Sequence, residues 1–206
     1  ATGTIQGTAF TYKVLYIDPE GNPPANQYPR VSILLGGAQI DWEWMYIKEG
    51  NDYKSGVTYS FPTKFVTGSK HYTYYFEAKN IKEITATGEP TLEHDGPMVD
   101  GPNFEPILLW SPNQGFISDG IGPDVGTLGT KFTYQIRYVD GNGDHPDNNY
   151  PLVYIYKNTV LMASVTMNFV SGNFLHGAIY AYSTSLPEKN QYQYQFRAQD
   201  EQGGEV

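Results

Sequence analysis

The sequence predicts an all-β protein of two tandem antiparallel β-sandwiches. Three observations carry the prediction: an internal repeat, a hydrophobic period of two inside each copy, and turn-forming clusters of Gly, Pro, Asn and Asp between the periodic stretches. The repeat decides the fold. "GTAFTYKVLYIDPEGNPPANQYPRVSILL" from Gly7 lies without a gap over "GTKFTYQIRYVDGNGDHPDNNYPLVYIYK" from Gly129, an offset of 122. Met45 over Met167, and Gly50-Asn51 over Gly172-Asn173, keep that offset. Gly56, Tyr59 and Phe61 then match Gly177, Tyr180 and Tyr182 at 121, and "HYTYYFEA" from His71 matches "QYQYQFRA" from Gln191 at 120. Two one-residue deletions in loop-like stretches explain the drift.

Within each copy the period is that of a pleated strand with one buried face. Phe132, Tyr134, Ile136 and Tyr138 alternate with Lys131, Thr133, Gln135 and Arg137, as Phe10, Tyr12, Val14 and Tyr16 do in the first copy. Tyr192, Tyr194 and Phe196 alternate with Gln191, Gln193, Gln195 and Arg197, a solvent face written almost wholly in amides. Short strands of this kind with no credible helix read as an immunoglobulin-like sandwich. There is no disulfide to expect, because the chain has no cysteine.

The repeat also sets the expected boundaries. The first Ig-like repeat is expected over 1–88 and the second over 106–206, joined by a Pro/Gly/acidic linker at 89–105 that contains "TGEPTLEHDGPMVDGPNFEP" in large part. "PILLW", Pro106 to Trp110, is expected to be the incoming strand of the second repeat. The first repeat has no counterpart of it and is expected to lack its first strand; the second is expected to lack its last. The start "ATGTIQGTAF" has no basic region or apolar core, so a mature or trimmed segment is expected.

At 206 residues each copy is large enough to bury a core without covalent staples. Absence of cysteine excludes thiol nucleophiles, zinc-thiolate clusters and iron-sulfur ligation. A formal charge of -9 argues against nucleic acid and anionic lipid, which require a basic footprint. No apolar run approaches the roughly 18 residues of a membrane-spanning helix, so no membrane insertion is expected.

Catalytic patterns are missing. His71, His94, His145 and His176 are scattered, with no "HExxH", no "GxSxG" and no Gly-rich phosphate loop. The chain is therefore expected not to be an enzyme. Glycoside hydrolysis would need two carboxylates facing each other across a groove.

Two stretches are candidate sites. In "YVDGNGDHPDNNYP", Asp140, Asn142 and Asp144 place oxygen-bearing side chains at alternate positions around two glycines. In an Ig-like sandwich this turn shares a pole with "DEQGG", so Asp140, Asn142, Asp144 and Asp200 are expected to converge beside the stretch carrying Glu93, Asp95 and Asp100. Calcium favours six to eight oxygen ligands of this sort. The competing reading is a plain turn, since Asp and Asn bond their own backbone and Gly accepts positive φ. The first copy keeps Asp18, Glu20 and Asn22 but adds Pro19, Pro23 and Pro24, and no helical calcium loop is present. A turn is the first expectation and calcium the second. No cofactor is required by any motif.

"DWEWMYIKEG" is the second stretch. Met45 and Ile47 align with Met167 and Phe169 and are expected to face the core, which turns Trp42, Trp44 and Tyr46 outward. Their counterparts are Ser164, Thr166 and Asn168, so an aromatic row replaces polar residues. Such a patch packs on protein or stacks on the sugar rings of a polysaccharide.

The stretches "PILLWSPNQGFISDGIGPDVGTLGTKFTYQIRYVDGNGDHP" with "YQYQFRAQD", and "FTYKVLYIDPEGNPP" with "YTYYFEAK", resemble tandem Ig-like repeats, similar to fibronectin type III and cadherin-like modules, of bacterial and archaeal surface and secreted proteins. The resemblance covers nearly the whole chain. It implies an extracellular, secreted or cell-surface module that spaces, displays or assembles, with neighbouring repeats or copies of itself as partners. An open sheet edge also fits a filament or surface layer assembled by strand exchange.

Overall fold

The computed structural model describes residues 1–187 and 191–206. Ala1–Pro102 and Asn103–Val206 form two compact units. Both are Ig-like β-sandwiches.

In the second unit one sheet orders β10 (Ile107–Trp110), β12 (Lys131–Val139), β16 (Gly177–Ser185) and β15 (Asn168–Asn173), with β11 (Ile121–Gly122) also on β12. The other orders β14 (Val160–Thr166), β13 (Leu152–Lys157) and β17 (Tyr192–Arg197). This is the immunoglobulin pattern: A, B, E and D strands (β10, β12, β16 and β15) face C and F strands (β13 and β17), with β14 added beside β13. Alternation selects what is buried. Tyr134, Ile136, Tyr138 and Val153 are fully enclosed, and Tyr134 meets Tyr194 across the sandwich with ring centroids 5.2 Å apart.

The first unit repeats that frame. β2 (Phe10–Tyr16), β6 (Val57–Thr63) and β5 (Tyr46–Glu49) match β12, β16 and β15; β4 (Ala38–Trp44), β3 (Arg30–Leu35) and β7 (Tyr72–Glu77) match β14, β13 and β17. Tyr12 and Tyr74, repeat partners of Tyr134 and Tyr194, meet at 4.9 Å. Beyond β7 the sheet adds only β8 (His94–Asp95), and β1 (Thr2–Thr4) pairs in parallel with β9 (Met98–Asp100).

Much of the stretch expected to be a linker at 89–105 is structured. A 3₁₀ turn at Glu89–Thr91, β8 and β9 occupy it, all within the first unit, and Val99 is buried. Its Gly and Pro residues punctuate short strands rather than a flexible tether. Glu93, Asp95 and Asp100 accordingly belong to the first unit, where Glu93 accepts a hydrogen bond from Thr73 Oγ1 at 2.6 Å. Ile107–Trp110 pairs antiparallel with Val139–Ile136 of its own unit.

One expectation fails. Met45 is buried, but Ile47 is 57% exposed, as is Phe169 at 52%. The chain changes sheets at the methionine, whose N–H donates to Pro29 O at 2.9 Å, as Met167 N–H does to Pro151 O at 2.8 Å. Alternation restarts there, and Ile47 lands on the edge strand β5, opposite Tyr59.

Candidate metal centre

The turn after β12 begins with Asp140, and its backbone follows from side-chain capping. Asp140 Oδ1 accepts from the N–H groups of Asn142 at 2.8 Å and Asp144 at 3.0 Å, while Gly143 takes a φ of 71°. Tyr138 donates its hydroxyl to Asp144 O at 3.2 Å. After β17 the same device recurs: Asp200 Oδ1 accepts from Gln202 N and Gly204 N, both at 2.8 Å. An Asp in each of two adjacent turns thus spends one oxygen on its own backbone.

The three carboxylates of these turns converge. One carboxylate oxygen each from Asp140, Asp144 and Asp200 lies within 4.8 Å of the others, and the three residues are 0%, 0% and 1% exposed. Asp140 Oδ2 is buried, with no hydrogen-bond partner among the described residues. Burial, reinforced by the charges of Asp144 and Asp200, pushes the Asp140 carboxyl up to about 6 against the two capping bonds. Burial and the same three carboxylates also raise Tyr138.

Asn142 is present but differently employed. Its Oδ1 accepts from Phe104 N at 2.6 Å, which pins the start of the second unit to the turn. Three contributors escaped the sequence reading. Asn103 Nδ2 donates to Asp200 Oδ2 at 2.9 Å, Gln202 Nε2 donates to Asp144 Oδ2, and Tyr138 supports the turn from below. The signal for Gln202 was available in the repeat, where it aligns with Lys82.

The first unit provides an internal comparison on the same scaffold. Asp18 Oδ1 accepts from Glu20 N at 2.9 Å and Asn22 N at 3.1 Å, Gly21 has a φ of 79°, and Tyr16 donates to Asn22 O at 3.3 Å. Asn80, aligned with Asp200, caps its own turn through Lys82 N at 2.9 Å and Ile84 N at 3.0 Å. Here, however, Asp18 Oδ2 receives Asn80 Nδ2 at 2.9 Å, and Lys82 pairs with Glu20 at 2.6 Å. The Asn80 hydrogen bond leads in holding Asp18 below the ordinary carboxylate value. Asn22, Asn80 and Lys82 are thus replaced by Asp144, Asp200 and Gln202 in the second unit. Two amides and one ammonium give way to two carboxylates and a neutral amide.

The aromatic stretch is divided. Trp42 and Trp44 lie on β4, 43% and 42% exposed, whereas Tyr46 lies on β5 in the other sheet, because the chain crosses at Met45. Cross-strand register instead aligns Trp42 with Ser32 and Tyr75, and Trp44 with Arg30 and Glu77. Arg30 is bidentate to Glu77 at 2.8 and 2.9 Å, and its guanidinium sits 5.1 Å from the Tyr28 and Trp42 ring centroids.

A third feature is the free side of β2. Among the described residues no strand pairs with β2 away from β6. A groove of about 230 Å³ runs there, lined by Val14, Leu15, Tyr16 and Ile17 on one side and by Ala86, Thr87, Pro90 and Thr91 on another. At the repeat offset those four positions, three on β2 and Ile17 just after it, are Ile136–Val139, the residues that β10 pairs with in the second unit.

No family model matches the chain, and no curated protein matches it. Among solved structures it is similar to the crystal structure of Dpr2 Ig1-Ig2 in complex with DIP-Theta Ig1-Ig3, with 12% identity and a TM-score of 0.34. That match covers 100% of this chain and 58% of the other, so the chain spans under two thirds of that protein's length.

Proposed function

We propose that the chain is a non-enzymatic structural module of a secreted or cell-surface protein, and that its first unit accepts an extended apolar strand along Val14–Ile17. One observation carries this reading: the groove beside β2 occupies the seat that β10 fills in the second unit. Leu15 and Ile17 are 55% and 52% exposed there, where Arg137 and Val139 are partly covered. A strand added antiparallel would pair its backbone with β2 and set alternate side chains inward, as Leu108 is opposite Tyr138. An open edge with apolar side chains is a template for such pairing. Spacer, display and assembly roles all follow from it, depending on whether the strand comes from a neighbouring repeat or another copy.

The test uses a synthetic peptide with the sequence of Glu105–Ser111, "EPILLWS", added to the full chain while backbone hydrogen exchange is followed. Protection at 14–17 is expected, and a peptide with Asp in place of Leu108 should give none. Unchanged exchange at 14–17 at millimolar peptide would sink the reading. Protection changing only at 136–139 would do the same, since the peptide would then be competing with β10. Light scattering separates the two sources of strand: growth in mass with concentration points to a second copy.

A second reading is favoured by the outer face of β4, β3 and β7. Trp42, Trp44 and Tyr75 flank the charge-paired Arg30 and Glu77, a combination of flat rings and fixed polar groups suited to a polysaccharide chain. Sedimentation with insoluble polysaccharide tests it. Binding that survives Trp42→Ala with Trp44→Ala would exclude this face.

A further inference from the structure

We infer that the second unit holds one divalent, oxygen-ligated cation of the calcium type between Asp140, Asp144 and Asp200. The inference stands apart from the strand-accepting role of the first unit, so either can fail without the other.

Turn formation alone accounts for only part of this arrangement. In both units the Oδ1 atom of the first Asp caps its own turn, with the same i+2 and i+4 donors. A turn therefore explains Oδ1 and leaves Oδ2 to be explained. In the first unit Oδ2 is answered by an amide donor from the neighbouring turn, Asn80 Nδ2. In the second unit that neighbour is Asp200, itself a carboxylate, and Asp140 Oδ2 is left buried with no hydrogen-bond partner among the described residues. A buried carboxylate oxygen facing further carboxylates is strongly unfavourable unless a positive charge joins them.

The dimensions suit the ion. Ligands at about 2.3–2.6 Å from calcium stand at most about 5 Å apart, and the three oxygens lie within 4.8 Å of one another. Hard oxygen donors with no cysteine in the chain favour calcium over the softer metals. The remaining ligand positions fall to water or backbone carbonyls. Asn103 and Gln202, which donate to Asp200 Oδ2 and Asp144 Oδ2, act as positioning residues that orient two of the carboxylates.

The substitution that discriminates is Asp200→Asn, because it writes the first unit's solution into the second. An asparagine there keeps an oxygen for the Gln202 and Gly204 N–H groups and offers its amide to Asp140 Oδ2. Calcium is titrated into the full chain, after chelation, by calorimetry and by thermal unfolding. For the wild type we expect saturable binding with Kd on the order of 10⁻⁴ to 10⁻³ M and a rise in the unfolding midpoint that chelator reverses. For Asp200→Asn we expect affinity at least tenfold weaker, together with a midpoint in chelator equal to or above that of the wild type. Absence of binding heat and of any midpoint change for the wild type at 10 mM calcium overturns the inference. Full retention of calcium response in Asp200→Asn overturns it too, by placing the ion elsewhere. Should that variant not fold, hydrogen exchange of the wild type decides: protection gained at 140–144 and 200–204 with calcium supports the site, and unchanged exchange there refutes it.

Discussion

With calcium removed, the second unit should lose stability as pH rises from about 4 to above 6, the reverse of what a surface aspartate does. The group responsible is Asp140, whose carboxyl burial pushes up to about 6 in the folded protein, against an ordinary value near 3.9 when unfolded. Between those two values the folded state holds a proton that the unfolded state has released. Stability therefore falls with pH across that window, and the contribution is complete above the folded value. Two pH units at about 1.4 kcal/mol each give an upper figure near 3 kcal/mol, and relaxation of the folded site around the ionised carboxyl would reduce it to about 1. Urea unfolding at pH 4, 5, 6 and 7 in chelator measures it for the wild type and for Asp140→Asn. The difference between the two cancels every titration that does not interact with Asp140. That difference should drop by about 1–3 kcal/mol from pH 4 to pH 7. A flat or rising difference would refute the argument, because Asp140 would then be an ordinary turn-capping carboxylate. Saturating calcium should remove the drop, since the ion binds the ionised form.

Three further outcomes follow from the packing. Ile136→Ala removes a fully enclosed side chain from the second core and should cost about 2–5 kcal/mol in the urea midpoint of that unit. Gly172→Ala places a Cβ against the carbonyl of Gly177 at a φ of 95°, so it should destabilise by more than about 1 kcal/mol; Gly50 in the first unit, at a φ of 89°, should behave alike. Glu77 is held below the usual carboxylate range chiefly by its hydrogen bonds from Arg30, so its contribution should be present above that range and vanish as pH falls through the folded value. Arg30→Ala should flatten this acid dependence at a cost of about 1 kcal/mol at neutral pH, read from denaturant midpoints in both conditions.

Strand placement was legible because period and repeat agree. Phe132 to Tyr138 announced a one-sided strand, and the offset transferred every such stretch from one copy to the other. What failed was local. Ile47 was assigned to the core by extending the alternation of Met45, but alternation holds only within one strand, and the chain changes sheets at that methionine. The same crossing separates Tyr46 from Trp42 and Trp44. No property of the isolated sequence distinguishes a strand that continues from one that breaks at a buried backbone hydrogen bond. Tyr75 joins the outer face for a related reason invisible in sequence: it is 33 residues from Trp42 and 31 from Trp44, and only cross-strand register aligns it with Trp42. For the acidic centre, spacing brought attention to Asp140, Asn142 and Asp144. Spacing could not show that Asp140 and Asp200 each use one oxygen on their own turns, or that carboxylate oxygens of Asp140, Asp144 and Asp200 come within 4.8 Å of one another.

The two copies diverge at adjoining places of one template, the edge of the second strand and the turn that follows it, and the divergences bear on each other through hydrogen bonds. In the first unit the paired turns are closed by protein groups, Asn80 on Asp18 and Lys82 on Glu20, so this end needs no ion. Its incompleteness lies at the β2 edge, where apolar Leu15 and Ile17 stand open. In the second unit the equivalent edge is filled by β10, whose start is drawn in through Phe104 N on Asn142 and Asn103 on Asp200. The residues that lead into the added strand are therefore fastened to the carboxylate-rich turns. If the ion orders those turns, calcium also orders the segment that delivers β10 to its seat. Hydrogen exchange at 107–110 can decide the point: removing calcium should speed exchange in β10 as well as in the turns. Acceleration confined to 140–144 and 200–204 would show that the strand holds its place by pairing with β12 alone.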